Sequence, residues 1–397
     1  MKKQQVLATV FSAVVALLAL TTHARAELIY GLESNSSAIT NVPFGLVSFD
    51  SATPGTMTTI GNFSGVVAGH VVRSIDFRPA TGQLYAISTS TTNLAAAQLY
   101  TVNLSTAALT PIGPGFTLGT NSDSRVEIEF NPSVDRIRIL TAATGTSGFN
   151  NNFRADPNTG LLVTANDTNL AYDAADANAG LTDFNIVAAA YSNNIAGAAS
   201  TTLYGWDWSF DILNTIGSVG GTPVSPNAGT MFTINLPVAF LTQNSAVGMD
   251  ISGTSGTLYV THDNPPAGTS MSLFTRNVTN GSQSLVGAYP AGRFIVDISV
   301  KTPPTAAGVM ISGRVLNPEG RGIVNARVSL TDPQGVVRYA YTTKGGHYQF
   351  DDVEVGSTYI VAVLSRQYQF ENGTQLISLT DAVADLDFTA SFGSGGR

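Results

Sequence analysis

One short unit recurs along the first 300 residues, and its recurrence limits the folds open to the chain. It is an alternating strand, a tight polar turn and a second strand. It first reads Arg73-Ser74-Ile75-Asp76-Phe77, then Arg78-Pro79-Ala80-Thr81-Gly82-Gln83, then Leu84-Tyr85-Ala86-Ile87. It returns as Val126-Glu127-Ile128-Glu129-Phe130 with Arg136-Ile137-Arg138-Ile139, and as Val247-Gly248-Met249-Asp250-Ile251 with Leu258-Tyr259-Val260. A looser copy joins 187–191 to Leu203-Tyr204-Gly205-Trp206. Two more strands follow each pair, as at 98–103 and 109–113. The copies stand 47 to 61 residues apart, the scale of a propeller blade. Side chains that alternate with period two, bounded by Gly, Pro, Asn, Asp and Thr, are strand punctuation. No long helical period appears beyond residue 26.

The two ends of the array are incomplete in complementary ways. Phe294-Ile295-Val296-Asp297-Ile298 is a first strand with no second strand after it. Leu28-Ile29-Tyr30-Gly31-Leu32 is a second strand with no first strand before it, and 45–50 and 57–61 continue its blade. The last strand is therefore expected to join the first three and close a ring. Closure removes the open sheet edges that invite aggregation. The reading is an all-β chain with a five-bladed β-propeller, six blades being the alternative. A flat solenoid would not need the split blade.

Residues 1–26 read as a secretory signal peptide. Lys2 and Lys3 precede an apolar run over 6–20, and Ala24-Arg25-Ala26 offers a small-x-small cleavage site before Glu27. The run is shorter than the ~20 residues of a membrane span, so no span is expected after cleavage. The protein is then secreted, periplasmic or extracellular. The chain carries −8 formally, and losing Lys2, Lys3 and Arg25 leaves −11. This acidic balance without a basic stripe excludes nucleic acid as the expected partner. With no cysteine in 397 residues, neither disulfides nor thiolate chemistry are available. Stability must come from a large apolar core.

Several of these motifs, taken in order, resemble a known family. Asp76-Phe77-Arg78-Pro79-Ala80-Thr81-Gly82-Gln83-Leu84-Tyr85, Phe130-Asn131-Pro132-Ser133-Val134-Asp135-Arg136-Ile137-Arg138, Asn152-Phe153-Arg154-Ala155-Asp156-Pro157-Asn158-Thr159-Gly160 and Thr202-Leu203-Tyr204-Gly205 are similar to exported bacterial proteins catalogued as a domain of unknown function. The likeness covers about 28–300. It implies the fold and no reaction. Trp206 stands where the family pattern has an aliphatic residue.

A first domain is thus expected over 27–300, a Pro- and Thr-rich linker over 301–308, and a second module over 309–392. Its seven short strands favour a seven-stranded Ig- or transthyretin-like β-sandwich. Ile311-Ser312-Gly313-Arg314-Val315, Gly322-Ile323-Val324-Asn325-Ala326-Arg327-Val328 and Thr343-Lys344-Gly345-Gly346-His347-Tyr348-Gln349-Phe350 resemble the carboxypeptidase regulatory-like fold. That resemblance implies an appendage of exported proteins and no peptidase activity.

Three groups of residues are candidates for a site. Asp76, Glu129, Asp250 and Asp297 fall at matching places on the first strands, with Ala190 in the remaining blade, so four carboxylates would approach one axis. Clustered carboxylates hold cations or keep raised pKa values. The structural reading is pairing with Arg73, Arg78, Arg136, Arg138 or Arg293, or bonding to backbone at blade junctions. The long connection 164–183 carries Asp167, Asp173, Asp176, Asn178 and Asp183, a weak calcium-type pattern lacking a terminal Glu. Ordinary Asx turns explain the same residues, as they do at 156–160. Tyr204, Trp206 and Trp208 share one strand face, which fits either sugar stacking or packing between blades.

No nucleophile elbow, zinc-binding His motif or phosphate loop is present, and no catalytic residue is assigned. No cofactor is assigned, calcium being the one candidate. The expected function is an exported non-catalytic binding or scaffold protein, with a surface, matrix or polysaccharide partner. The alternatives are a metal-assisted hydrolase or lyase at the propeller channel, and a structural subunit of an extracellular assembly. Long connections at 61–72, 88–97, 113–124, 141–151, 164–183 and 262–270 gather on one side of the expected wheel, where function concentrates. The segment 217–229 is long on the other side.

Overall fold

The computed structural model describes residues 26–37, 42–119, 125–141, 151–163, 167–210, 212–234, 247–263, 270–279, 282–301, 309–332, 336–353, 358–379 and 382–391. The signal segment expected over 1–26 lies outside them except for Ala26, and the linker expected over 301–308 except for Lys301.

Twenty of the strands lie before residue 301. β1 (Leu28–Ser34), β2 (Pro43–Asp50) and β3 (Met57–Asn62) belong to the first sheet. β4 (His70–Arg78), β5 (Gln83–Ser90), β6 (Ala96–Val102) and β7 (Leu109–Thr117) form the second, and β8 (Val126–Asn131), β9 (Arg136–Thr141) and β10 (Asn151–Ala155) the third. The fourth contains β11 (Ala171–Tyr172), β12 (Ile186–Tyr191), β13 (Leu203–Asp207), β14 (Ile212–Ile216) and β15 (Thr230–Thr233), in the order β11-β15-β14-β13-β12. β16 (Gly248–Ile251), β17 (Leu258–Asp263), β18 (Met271–Arg276) and β19 (Gln283–Ala288) form the fifth. β20 (Phe294–Val300) then pairs antiparallel with β1, placing Val300 opposite Ile29, so the first sheet runs β20-β1-β2-β3.

The innermost strands abut in a cycle: β4 on β8, β8 on β12, β12 on β16, β16 on β20, and β20 back on β4. The sheets therefore close into a propeller wheel, sealed by a sheet that holds both ends of the array. Apolar side chains fill the junctions. Ile29, Leu32, Ile75, Phe77, Leu273, Ile295 and Ile298 form one continuous cluster across the seam. Gly248 marks how tightly the wheel closes. A Cβ there would lie 2.5 Å from the Asp297 Cα, so no side chain fits without moving backbone.

Two long connections differ from the open loops the sequence suggested. The described part of the 164–183 segment, 167–183, contributes β11, which adds a parallel edge to β15. The 217–229 segment forms two 3₁₀ turns, Val219–Gly221 and Pro226–Ala228, and reaches the third sheet. There Asn152 Nδ2 donates to the Pro226 carbonyl at 2.9 Å and Arg138 donates to Asn227 Oδ1 at 2.6 Å. Its length on the unexpected side is thus explained as a clamp between neighbouring sheets.

The second module has seven strands: β21 (Val309–Leu316), β22 (Arg327–Thr331), β23 (Val337–Tyr341), β24 (His347–Val353), β25 (Thr358–Leu364), β26 (Thr374–Ser378) and β27 (Phe388–Thr389). They make two sheets, β24-β21-β27 and β23-β22-β25-β26. Alternation along β25 turns Tyr359, Val361 and Val363 inward. They meet Ile311, Val315, Val328, Phe350 and Phe388 in a sandwich core. Among the described residues no helix is long and apolar enough to cross a membrane.

Candidate functional site

The inner strands place their polar side chains in two layers. Directly opposed residues identify the levels. Asp76 faces Tyr85, Glu129 faces Arg138, Ala190 faces Tyr204, Asp250 faces Tyr259 and Ser299 faces Tyr30. Two residues earlier on their strands, Ser74 faces Ile87, Glu127 faces Leu140 and Asp297 faces Leu32. Asp297 therefore does not stand level with Asp76, Glu129 and Asp250 as the sequence suggested. Ser299 holds that level, and Asp297 belongs with Ser74 and Glu127. The apparent match of Val296-Asp297-Ile298 to Ile75-Asp76-Phe77 is offset by one pleat repeat.

Each layer joins one inner strand to the next. Ile75 N–H donates to Asp297 Oδ2 at 2.8 Å, and Ile128 N–H to Ser74 Oγ at 3.0 Å. In the other layer Phe77 N–H donates to Ser299 Oγ at 3.0 Å, Phe130 N–H to Asp76 Oδ2 at 2.6 Å, and Val300 N–H to Asp250 Oδ2 at 2.6 Å. Tyr191 N–H reaches Glu129 Oε2 at 3.4 Å. An inner strand has one edge with no strand partner, and a buried N–H left unpaired costs about 1–3 kcal/mol. The neighbouring side chains supply the missing acceptors. The fourth inner strand carries Ala188 and Ala190 at these levels and offers none. Ile251 N–H is taken instead by Oδ1 of Asp250.

These carboxyls are almost completely buried, Asp76 and Asp250 at 0% exposure and Glu129 and Asp297 at 2%. Burial, with the charge of Asp250 second, pushes Asp76 well above the usual carboxylate range against the Phe130 N–H and the Ser299 hydroxyl. Burial likewise raises Glu129, helped by Asp76 and Asp250. It carries Asp250 and Asp297 to about 7 despite the N–H groups they accept. Glu127, which the sequence reading passed over, is raised by burial and by the charges of Asp297 and Asp76. The signal for it was present: Glu127 and Glu129 are two apart on one strand and share a face.

The arginines read as partners for these acids are engaged elsewhere. Arg78 pairs with Asp135 at 2.5 Å, Arg136 with Asp156 at 3.4 Å, Arg138 with Asp167 at 3.2 Å, and Arg293 with Glu33. Arg73 Nε donates to Thr89 at 3.0 Å. Of the two structural explanations, backbone bonding at the junctions is the one realised.

The 164–183 acids do not converge. Asp167 takes bonds from Arg138 and Arg154. Asp173 accepts from Ala175 N–H, and Asp176 from Asn178 N–H, each at 2.9 Å in Asx turns. Asp176 also accepts from the Thr233 N–H and hydroxyl, while Asn178 donates to Thr233. Asp183 offers its carbonyl to Asn185. The segment is a brace on the edge of the fourth sheet, and turn chemistry accounts for its composition. Asp156 behaves the same way, accepting from Asn158 and Thr159.

The aromatic strip is not presented to solvent. Tyr204 and Trp206 are buried, and the Arg276 guanidinium lies 4.6 Å from the Trp206 ring centre. Trp208 is half-buried with Arg125 at 5.6 Å. Tyr204 and Trp206 thus pack between the fourth and fifth sheets, while Trp208 keeps part of its surface exposed.

Fold and axis together define the class: an all-β propeller with a buried polar axis, followed by a β-sandwich. The chain belongs to the family described as Domain of unknown function (DUF4394), whose model matches residues 45–299, and a carboxypeptidase regulatory-like domain matches residues 310–391. The family match starts within β2, whereas the wheel needs β1 to close. No curated protein matches the chain. Among solved structures it is similar to AofleA from Arthrobotrys oligospora, with 10% identity and a TM-score of 0.37 over 90% of this chain and 91% of that one. It is also similar to the Dos1 propeller, with 9% identity and a TM-score of 0.28 over 87% and 76%. Oligopeptidase B from Trypanosoma brucei gives 10% identity and 0.30 over 87% and 39%. Likenesses this distant speak to neither ligand nor activity.

Proposed function

We propose that the protein is an exported, non-catalytic binding or scaffold protein, with the propeller as recognition module and the sandwich as appendage. The burial of the axial acids carries this reading. They are the one trio of acids or histidines that converges within 4.8 Å among the described residues, and each accepts an N–H of the wheel's own backbone. A polysaccharide or peptide chain has no way to touch side chains with 0–2% exposure, so their work is to hold the wheel closed.

The start of the fold supports export with cleavage before Glu27. Ala26 is exposed, while Glu27 is buried. The Glu27 N–H donates to Ser51 Oγ at 2.9 Å, and its carboxylate takes the hydroxyls of Ser252, Ser255 and Tyr259. The first residue after the expected cut is thus pinned between the first and fifth sheets.

The test has two arms. Mass spectrometry of protein recovered outside the cytoplasm should show an N-terminus at Glu27. Purified protein should sediment with insoluble cell-surface polysaccharide and release no sugar from it. Release of reducing or unsaturated ends, abolished in Asp76→Asn, would establish instead the hydrolase or lyase reading, which the raised carboxyls favour. The assembly reading draws on the apolar side chains exposed on the sandwich, among them Tyr341 and Leu376. Concentration-dependent filaments would select it.

A further inference from the structure

Hydrogen bonding along the axis is incomplete at one place. Glu127 is 5% exposed, and its Oε1 has no hydrogen-bond partner. This carboxyl senses the charges of Asp297 and Asp76, so it lies within the axial group. In the other layer, one carboxylate oxygen from each of Asp76, Glu129 and Asp250 lies within 4.8 Å of the other two. These residues come from three different inner strands. Buried acids brought this close stay together only where protons or a bound cation offset their charge, and at neutral pH a cation takes the place the protons leave.

We infer that the wheel binds one hard divalent cation of calcium's kind on its axis, between Asp76, Glu129 and Asp250, with the Glu127 carboxyl, its Oε1 unpartnered, adding negative charge from the neighbouring layer. The donor set is carboxylate oxygen alone, without imidazole or thiolate, which selects Ca²⁺, Mg²⁺ or Mn²⁺ over zinc or copper. Oxygens bound to one Ca²⁺ at about 2.3–2.6 Å stand no more than about 5 Å apart, so the three reach a single ion as they are placed. Calcium also tolerates irregular ligand geometry, whereas magnesium demands near-ideal octahedra. A carboxylate oxygen that accepts an N–H keeps a second lone pair for the ion. Ser299 Oγ, 2.8 Å from Asp76 Oδ1 and 3.2 Å from Asp250 Oδ2, adds a neutral oxygen at the same level. The ion would tie three inner strands together across the axis, where the hydrogen bonds join only neighbours. This goes beyond the binding role proposed above, whose sedimentation assay does not depend on it.

The experiment uses the full mature chain stripped with chelator, at neutral pH. Calorimetric titration with CaCl₂ should show one ion per chain, confirmed by elemental analysis after desalting. At a hundredfold excess over Kd the propeller transition should rise by about 5 °C or more. Glu129→Gln keeps an acceptor for Tyr191 N–H and removes a charged ligand. It should weaken binding at least tenfold, while Asp183→Asn, on the braced segment, leaves it unchanged. If Glu129→Gln fails to fold, Asp250→Asn, which keeps an acceptor for Val300 N–H, is read in its place, with weakened binding expected. The inference is overturned if stripped wild-type protein takes up none of Ca²⁺, Mg²⁺ or Mn²⁺ stoichiometrically. It is equally overturned if the folded variant binds as tightly as wild type.

Discussion

The two modules are both built from short antiparallel strands, yet they bury different chemistry. The propeller hides Asp76, Glu127, Glu129, Asp250 and Asp297 on its inner strands, among other polar groups. In the sandwich the one buried polar residue among those described is Thr342. Topology explains the contrast. A wheel brings the edges of its inner strands together at its centre, away from water, and their N–H groups need acceptors from side chains. In the sandwich the unpaired edges lie at the rims of the sheets, so its interior remains apolar. The sandwich instead leaves the outer face of one sheet apolar, with Tyr339, Tyr341, Ile360, Leu364 and Leu376 exposed. Polar residues in a β core thus report where edges converge.

The contrast breaks or sharpens under substitution, the largest effects first. Trp206→Ala should cost the propeller about 3–5 kcal/mol, and Phe388→Ala should cost the sandwich a similar amount. Calorimetry should show each change in its own transition, and a common shift of both would break the distinction between the modules.

Dependence on pH should belong to the propeller alone. Folded Asp250 and Asp297 hold their protons to about pH 7, whereas unfolded Asp releases them near pH 4. The folded state therefore binds the extra protons. Stability from this pair is greatest at and below about pH 4, and falls as pH rises towards 7. In chelator the loss should be on the order of 3–4 kcal/mol for each of the two between pH 4 and 8. Urea titrations that find the propeller more stable at pH 8 than at pH 5 would contradict this sign.

Gly248→Ala should destabilise the wheel by about 1–3 kcal/mol, because the new methyl meets the backbone of β20. Ser299→Ala should cost about 1–3 kcal/mol, since Phe77 N–H loses its acceptor. If denaturant midpoints do not move in Ser299→Ala, the acceptor role of the axial layer is wrong. At the small end, Leu376→Lys on the exposed sandwich face should change stability by less than about 0.5 kcal/mol.

Much of this molecule was legible because its signals are local. The hairpins at 73–87, 126–139 and 247–260 announce themselves through alternation and turn residues, and β20 and β1 are recognisable as separated parts of one sheet. The acids at Asp76, Glu129 and Asp250 were legible as a convergent group. Glu127 was not, although it shares a face with Glu129, because attention to one residue per repeat hides a second layer. The acids of 164–183 were over-read, since Asx turns and calcium loops draw on the same residue types.

The sequence by itself determined the all-β character, the repeat, the closing sheet and the order of the two modules, because each follows from side-chain periodicity and the placement of turns along the chain. Only the tertiary structure decided that Ser299 and not Asp297 stands level with Asp76, that Arg78, Arg136, Arg138 and Arg293 pair with other acids, and that Trp206 faces inward. Those outcomes depend on the register between strands far apart in sequence and on which unpaired N–H lies within reach, and neither is encoded in any local pattern.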